Sequence, residues 1–167
     1  GSDGIVDIVN IYKYDGNGKL SSIEHNGFEY SISYKYENVD EIKIADKLYA
    51  KYEYDANDNM TKLIYGNGYI NKIEYDTIGN ITNISDGYGT LYEWIYNEHY
   101  LPENYIDYVN DIQLKYVYGA DEELCKIESS NGWTIEYKNE SDKKSVILSD
   151  GVQQFESQYT FNDVDVL

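Results

Sequence analysis

The sequence predicts an all-β fold, and three observations carry that reading. Of 167 residues, 21 are tyrosine, and a single proline, Pro102, is present to interrupt a sheet. Tyr, Ile and Thr suit pleated, half-buried surfaces. Short segments with apolar residues two apart recur along the chain: "YKYDGNGKLSSI" (12–23), "YEYDANDNMTKL" (52–63) and "IEYDTIGNITNI" (73–84). Between them stand compact turn signals, while helical periodicity is missing.

Aligning the chain on the second aromatic of each aromatic-x-aromatic step gives the anchors Tyr14, Tyr36, Tyr54, Tyr75, Tyr96, Tyr118, Tyr137 and Phe161. Two positions earlier stand Tyr12, Tyr34, Tyr52, Ile73, Trp94, Tyr116, Ile135 and Tyr159. Residues two apart in a strand share a face, so each unit places two bulky side chains on one side. Lys13, Lys35, Glu53, Glu74 and Glu136 between them predict a polar opposite face, which Ile95 and Val117 interrupt.

The turn comes next. Asp15 with Gly18, and Asp76 with Gly79, form D-x-x-G; Asp55 opens the variant in which Asp58 replaces the glycine. An Asp at the first turn position can accept backbone N–H bonds from two residues on, and a residue in the left-handed region then lets the second strand return. Past the turn, apolar residues lie six and nine positions after the anchor, as Leu20 and Ile23 do. That odd interval of three predicts a bulge or bend. Asn26-Gly27, Asn67-Gly68, Asp86-Gly87, Asn110-Asp111, Asn131-Gly132 and Asp150-Gly151 mark a second turn, expected to be a two-residue hairpin with positive φ at both central residues.

The whole is expected to be a continuous antiparallel meander of about fourteen strands from seven to eight repeats of roughly 21 residues. Laid flat it would be about 65 Å wide, and sheets of that width twist or curl, so a spiral strip or open partial barrel is expected. Residues 1–167 are read as a single domain, a fragment of a larger protein, with residues 1–4 partly a cloning scar.

Composition removes several function classes. The net charge of −18 and the absence of arginine disfavour nucleic acid and anionic membrane surfaces. No run of 18 apolar residues offers a membrane-spanning helix. Cys125 stands alone, so no internal disulfide can form, and it reads as a small apolar residue, buried or half-buried.

The motif Tyr-x-Tyr-Asp-x-x-Gly followed by Leu or Ile and a further Ile, best written here in 12–23 and 73–84, resembles the tyrosine-aspartate (YD) repeat of the Rhs family, and the resemblance covers nearly the whole chain. Glu37, Asn97, Gly119 and Lys138 depart from it at the Asp position, and Tyr100, Glu122 and Ser141 at the Gly position. The last turn, near 138–145, is expected to be remodelled. The resemblance implies a spiralling β-shell on a secreted or cell-surface bacterial protein, which in the toxins of the family closes around a C-terminal toxin domain. Self-cleavage at an Asp-Pro segment does not carry over, because no Asp-Pro occurs here.

No catalytic residue, metal site or cofactor is expected. His25 and His99 read as exposed loop histidines, and no G-x-S-x-G or H-E-x-x-H occurs. "DANDN" (55–59) alternates oxygen ligands as a calcium loop does but lacks the glycine at position six and the glutamate at twelve, so it reads as a YD turn. The structural positions expected to matter are Tyr12, Tyr14, Asp15, Gly18, Tyr52, Tyr54, Asp55, Tyr75, Asp76, Gly79, Trp94, Tyr96, Tyr116 and Tyr118. Two functions follow. One is a non-catalytic shell segment whose partners are neighbouring repeats of a parent chain, or further copies joined through edge strands. The other is an extracellular carbohydrate- or protein-binding module in which Trp94 and Trp133 stack on the ligand.

Overall fold

The computed structural model describes residues 9–140 and 143–160, and every regular element among them is a β-strand. The anchor Phe161, the departure at Ser141 and residues 1–4 lie outside the described residues. The strands divide between two compact units, which meet between Gly89 and Thr90 in sequence.

The first unit contains β1 (Asn10–Tyr14), β2 (Leu20–His25), β3 (Phe28–Lys35), β4 (Asn38–Ile44), β5 (Lys47–Tyr54), β6 (Met60–Tyr65), β7 (Ile70–Tyr75) and β8 (Ile81–Ser85). The second contains β9 (Thr90–Tyr96), β10 (Pro102–Asp107), β11 (Ile112–Tyr118), β12 (Leu124–Ser129), β13 (Thr134–Asn139), β14 (Lys143–Ser149) and β15 (Gln154–Thr160). In each unit every strand pairs antiparallel with its sequence neighbours, as in Tyr12↔Ile23, Tyr52↔Leu63 and Tyr116↔Ile127. The described residues thus hold fifteen strands, one more than the rounded expectation, and within each unit they follow one another as an antiparallel meander.

The bulge that the interval of three requires lies opposite each anchor. Lys13 pairs with Ser22 but Tyr14 with Leu20, so Ser21 is the extra residue. The same shift leaves out Thr61, Thr82, Glu103 and Cys125. One extra residue restores the alternation, so Leu20 and Ile23 both reach the face of Tyr12 and Tyr14. Cys125 is therefore exposed rather than buried, with its thiol 3.4 Å from the Glu123 carbonyl oxygen.

Two assignments change. Tyr36 is not an anchor: β3 ends at Lys35, and Tyr36 lies in a two-residue turn at φ 57°, 86% exposed. The bulge there pairs Ser33 with Glu41 and Tyr34 with Val39, so Tyr34 holds the anchor position and Asp40 is the extra residue. Likewise Tyr137 pairs regularly with Val146, and no bulge faces it. The second turns also differ. Both central residues are at positive φ in Asn26-Gly27, and again in Ala45-Asp46, which carries no Asn-Gly signal. At 67–68 and 131–132 only the glycine is at positive φ. There the loop is one turn longer in its hydrogen bonding: Gly68 N–H donates to Tyr65 O and Tyr65 N–H to Tyr69 O.

Glu140 N–H donates to Lys143 O at 2.8 Å, and the remodelling expected near 138–145 falls partly on residues 141 and 142, outside the described residues. The core is thin. Ala50, Ile73 and Ile147 are buried, and among the described residues no large side chain is fully enclosed. Each face of these sheets therefore keeps substantial contact with solvent.

Candidate functional site

The repeated residues spend their polar groups on the backbone. Asp15 Oδ1 accepts from the N–H of Asn17 and of Lys19, both at 2.9 Å. Asp55 does the same with Asn57 and Asn59, and its Oδ2 accepts from the Asn59 side chain. Asp76 repeats the set with Ile78 and Asn80. The bond from the Asn59 backbone holds the Asp55 carboxyl below the usual range. Asp76 is held low too: desolvation pushes it upward, but the bonds from Asn80, Ile78 and Gly79 outweigh that. Asn97, where the motif departs, builds the same turn, accepting from His99 and Leu101 N–H at 2.9 and 3.0 Å with Tyr100 at φ 60°. Its amide oxygen does what the carboxylate does elsewhere.

The anchors do the complementary work on the carbonyl side. Tyr34 Oη donates to Leu20 O at 3.0 Å, Tyr54 to Val39 O at 2.9 Å and Tyr75 to Met60 O at 2.8 Å. In the second unit Tyr118 donates to Pro102 O at 2.8 Å. The acceptor in each case is the residue that faces the previous anchor across the bulge. The geometry is constant. Between β6 and β7 the pairing runs out at Lys62↔Lys72; Met60 lies two residues beyond on one strand, and Tyr75 three beyond on the other. The same offsets hold past Ser22↔Ser31, Glu41↔Lys51 and Asn104↔Lys115. Where the strands part, the ladder leaves a carbonyl without a strand partner, and an unpaired backbone oxygen is costly. The tyrosine of the next repeat fills the gap with its ring and satisfies the oxygen with its hydroxyl. Burial pushes the Tyr54, Tyr75 and Tyr118 hydroxyls up, so they remain protonated donors.

The remaining face carries charges of both signs, paired within strands and between them. Glu41 holds Lys51 and Lys43 at 3.0 Å each, Glu53 holds Lys62 at 3.2 Å, and Lys126 lies 2.9 Å from Glu128. Neighbouring hairpins are stitched at their turns as well: Lys19 to Glu37, the Asn38 amide to Asp58, and His99 Nδ1 to Glu122 at 3.1 Å. His99 is exposed, as expected; His25 instead ends β2, half-buried, with Nδ1 2.5 Å from Asn10 Oδ1.

The second unit also carries an aromatic cluster. Trp94 pairs across the strands with Tyr105, ring centroids 5.0 Å apart, and Tyr105 stacks on Tyr92 at 6.3 Å and 12°. Tyr105 then borders a groove of about 400 Å³ lined by Leu114, Ile127, Trp133, Ile135 and Leu148. Trp133 stands at its rim, 39% exposed, while Trp94 is half-buried in the cluster and does not line the groove. The two tryptophans thus occupy different places, with Tyr105 common to both. Sequence reading missed Tyr105 and this groove, because its apolar residues come from β11 to β14 and only pairing register brings them together. Among the described residues, no group of three or more His, Cys, Asp or Glu is placed to hold a metal ion.

No family model and no curated protein matches the chain. Among solved structures it is similar to the TcdB2-TccC3 complex, with 11% identity and a TM-score of 0.70 over 92% of this chain and 10% of that one. It is similar also to TcdB2-TccC3-Cdc42, with 11% identity and a TM-score of 0.69 over the same shares. The Tc holotoxin pore of Photorhabdus luminescens gives 11% identity and 0.69, over 90% of this chain and 9% of that one. The chain therefore spans about a tenth of the chains it matches, and at this identity the likeness is one of fold: an antiparallel β-meander that also occurs within large toxin complexes.

Proposed function

We propose that this chain is a non-catalytic structural segment of a YD-repeat, Rhs-type β-shell on a secreted or cell-surface bacterial protein, which in its full-length parent encloses a toxin. One observation carries the reading. The residues that the sequence repeats are spent on backbone groups of their own sheet, Asp on N–H and Tyr on C=O. The fold likeness to chains of toxin complexes ten times longer supports the same context. An immunoblot of the source cells with an antibody to this chain tests it. A product many times larger than 19.4 kDa is expected; a product near 19.4 kDa would end the enclosure reading.

A second reading, a module that binds carbohydrate or protein, is favoured by the groove beside Trp133. Tryptophan fluorescence titrated with an oligosaccharide panel tests the carbohydrate form. A saturable change lost in Trp133→Ala would support it, and a flat response to millimolar sugar would remove it.

A further inference from the structure

A single carboxylate stands among the paired positions on the aromatic face of the second unit. On the side of Trp94, Tyr105 and Tyr116 these positions are aromatic, aliphatic or uncharged polar, save Asp107 and Lys144. Lys115, Lys126, Glu128 and Glu136 alternate to the other side. Asp107 follows Tyr105 by two residues on β10, faces Ile112 across the ladder and lines the apolar groove. Trp133 leads into β13, so the groove runs across the strands from a charged end to an aromatic one.

Asp107 is 9% exposed, yet hydrogen bonds led by the Asn110 amide hold its carboxyl below the usual range, so it is ionised at neutral pH. Its Oδ1 accepts from the N–H groups of Val109 and Asn110 at 2.9 and 3.0 Å, and its Oδ2 from the Asn110 side chain at 2.8 Å. Every one of these donors is neutral, and among the described residues no cation stands against the charge. Its field reaches into the groove: burial first, and then the Asp107 charge, push the Tyr105 hydroxyl up.

We propose that this groove binds a small organic cation, an apolar body bearing a quaternary ammonium, with the cation at the Asp107 end and the body along the aliphatic floor towards Trp133. The groove, about 400 Å³, has the size of a small-molecule site. The charge selects a cation, and the Tyr105 ring beside it adds cation–π attraction. The spent acceptors select the kind of cation. A primary ammonium brings three N–H donors that need partners. Asp107 has already accepted three bonds of the roughly four a carboxylate can take. Asn131 Oδ1 is taken by the Trp133 N–H, which leaves the Ser129 hydroxyl. A quaternary ammonium carries the charge with no donor to satisfy. An extended peptide fits less well, because β11 to β14 are each paired on both sides and offer it no free edge. The proposal shares its groove with the binding-module reading but names a different ligand, and it does not involve the shell.

The test titrates the full chain with benzyltrimethylammonium, benzylamine and benzyl alcohol, read by NMR at the two indole N–H signals. Saturable movement of the Trp133 signal, larger than that of Trp94, is expected. Benzyltrimethylammonium should bind at least about tenfold more tightly than benzyl alcohol, and more tightly than benzylamine. Asp107→Asn is expected to lower its affinity about tenfold and to leave that of benzyl alcohol within about twofold. The ranking of probes on the unaltered chain decides the matter even where that variant does not fold. Equal affinities, tighter binding of benzylamine, or a drift without saturation would overturn the proposal; such a drift is what diffuse attraction to a net charge of −18 produces. So would a response to phosphatidylcholine vesicles with none to the free cation, since a lipid headgroup would then be the ligand. A sugar that moves Trp133 where benzyltrimethylammonium does not would end this proposal and leave the binding-module reading standing.

Discussion

The two units use one repeat in two ways. In the first, three successive anchors close three successive gaps, Tyr34 on Leu20, Tyr54 on Val39 and Tyr75 on Met60. In the second, Tyr118 closes one on Pro102, after which Asn139 replaces the anchor and the ladder stops. Apolar surface is distributed differently as well. The first unit buries Ala50 and Ile73 along its tyrosine face, whereas the second gathers Trp94, Tyr105 and Tyr92 beside a groove rimmed by Trp133. The contrast teaches where the apolar groove forms: among β11 to β14, the strands over which the ladder of anchor hydroxyls ends.

The largest expected effect sharpens the first half of that contrast. A Cβ on Gly66 would collide with the Leu48 carbonyl, and the Gly66 N–H donates to Tyr49 O at 2.9 Å, so the backbones have no room to separate. Gly66→Ala is expected to destabilise the first unit by about 3 kcal/mol, read by urea unfolding. Gly87→Ala, which meets nothing within 4 Å, should stay within about 0.5 kcal/mol. In the second unit, Trp94→Ala is expected to cost about 2 kcal/mol through lost packing on Tyr105, and Trp133→Ala no more than about 1 kcal/mol. Equal costs would erase the distinction between cluster and groove rim.

Acid should act on both units. Asp55, Asp76 and Asp86 in the first, and Asp107 and Asp150 in the second, all have carboxyls lowered below 3.8. The Asn59 backbone, the Tyr69 hydroxyl, the Asn110 amide and the Gln153 backbone are the leading causes for Asp55, Asp86, Asp107 and Asp150, while at Asp76 hydrogen bonds overcome desolvation. A depressed folded value means stability that is fully present above the unfolded value and lost as pH falls through the folded one. Urea midpoints are therefore expected to be flat above about pH 5 and to drop below pH 4. Asp76→Asn should flatten that drop while keeping its turn, because Asn97 already builds the same geometry.

Much of this was legible in the sequence, and the exceptions have physical causes. The Leu20–Ile23 interval by itself calls for a bulge, because only an extra residue puts both on one face. The frame of the second repeat was ambiguous, since Tyr34 and Tyr36 satisfy the same pattern; the short turn at Tyr36-Glu37 decides it. With Tyr34 in place, anchors from Tyr14 to Tyr118 recur every 20 to 22 residues, a tighter period than the first alignment gave. The Ala45-Asp46 turn escaped because neither residue advertises positive φ as Asn-Gly does. The role of the anchor hydroxyls was hidden for a deeper reason. Their partners are backbone oxygens in the preceding repeat, and a carbonyl leaves no mark on the residue type that carries it.

The most direct test of the account compares two conservative changes that remove a hydroxyl and nothing else. Tyr75 Oη holds Met60 O at 2.8 Å, whereas Tyr36 lies in an exposed turn. In urea unfolding, Tyr75→Phe is expected to lose about 1 kcal/mol and Tyr36→Phe to lie within experimental error. If Tyr75→Phe matches the parent, the hydroxyl does not lock the parted strands, and the tyrosine ladder is packing alone.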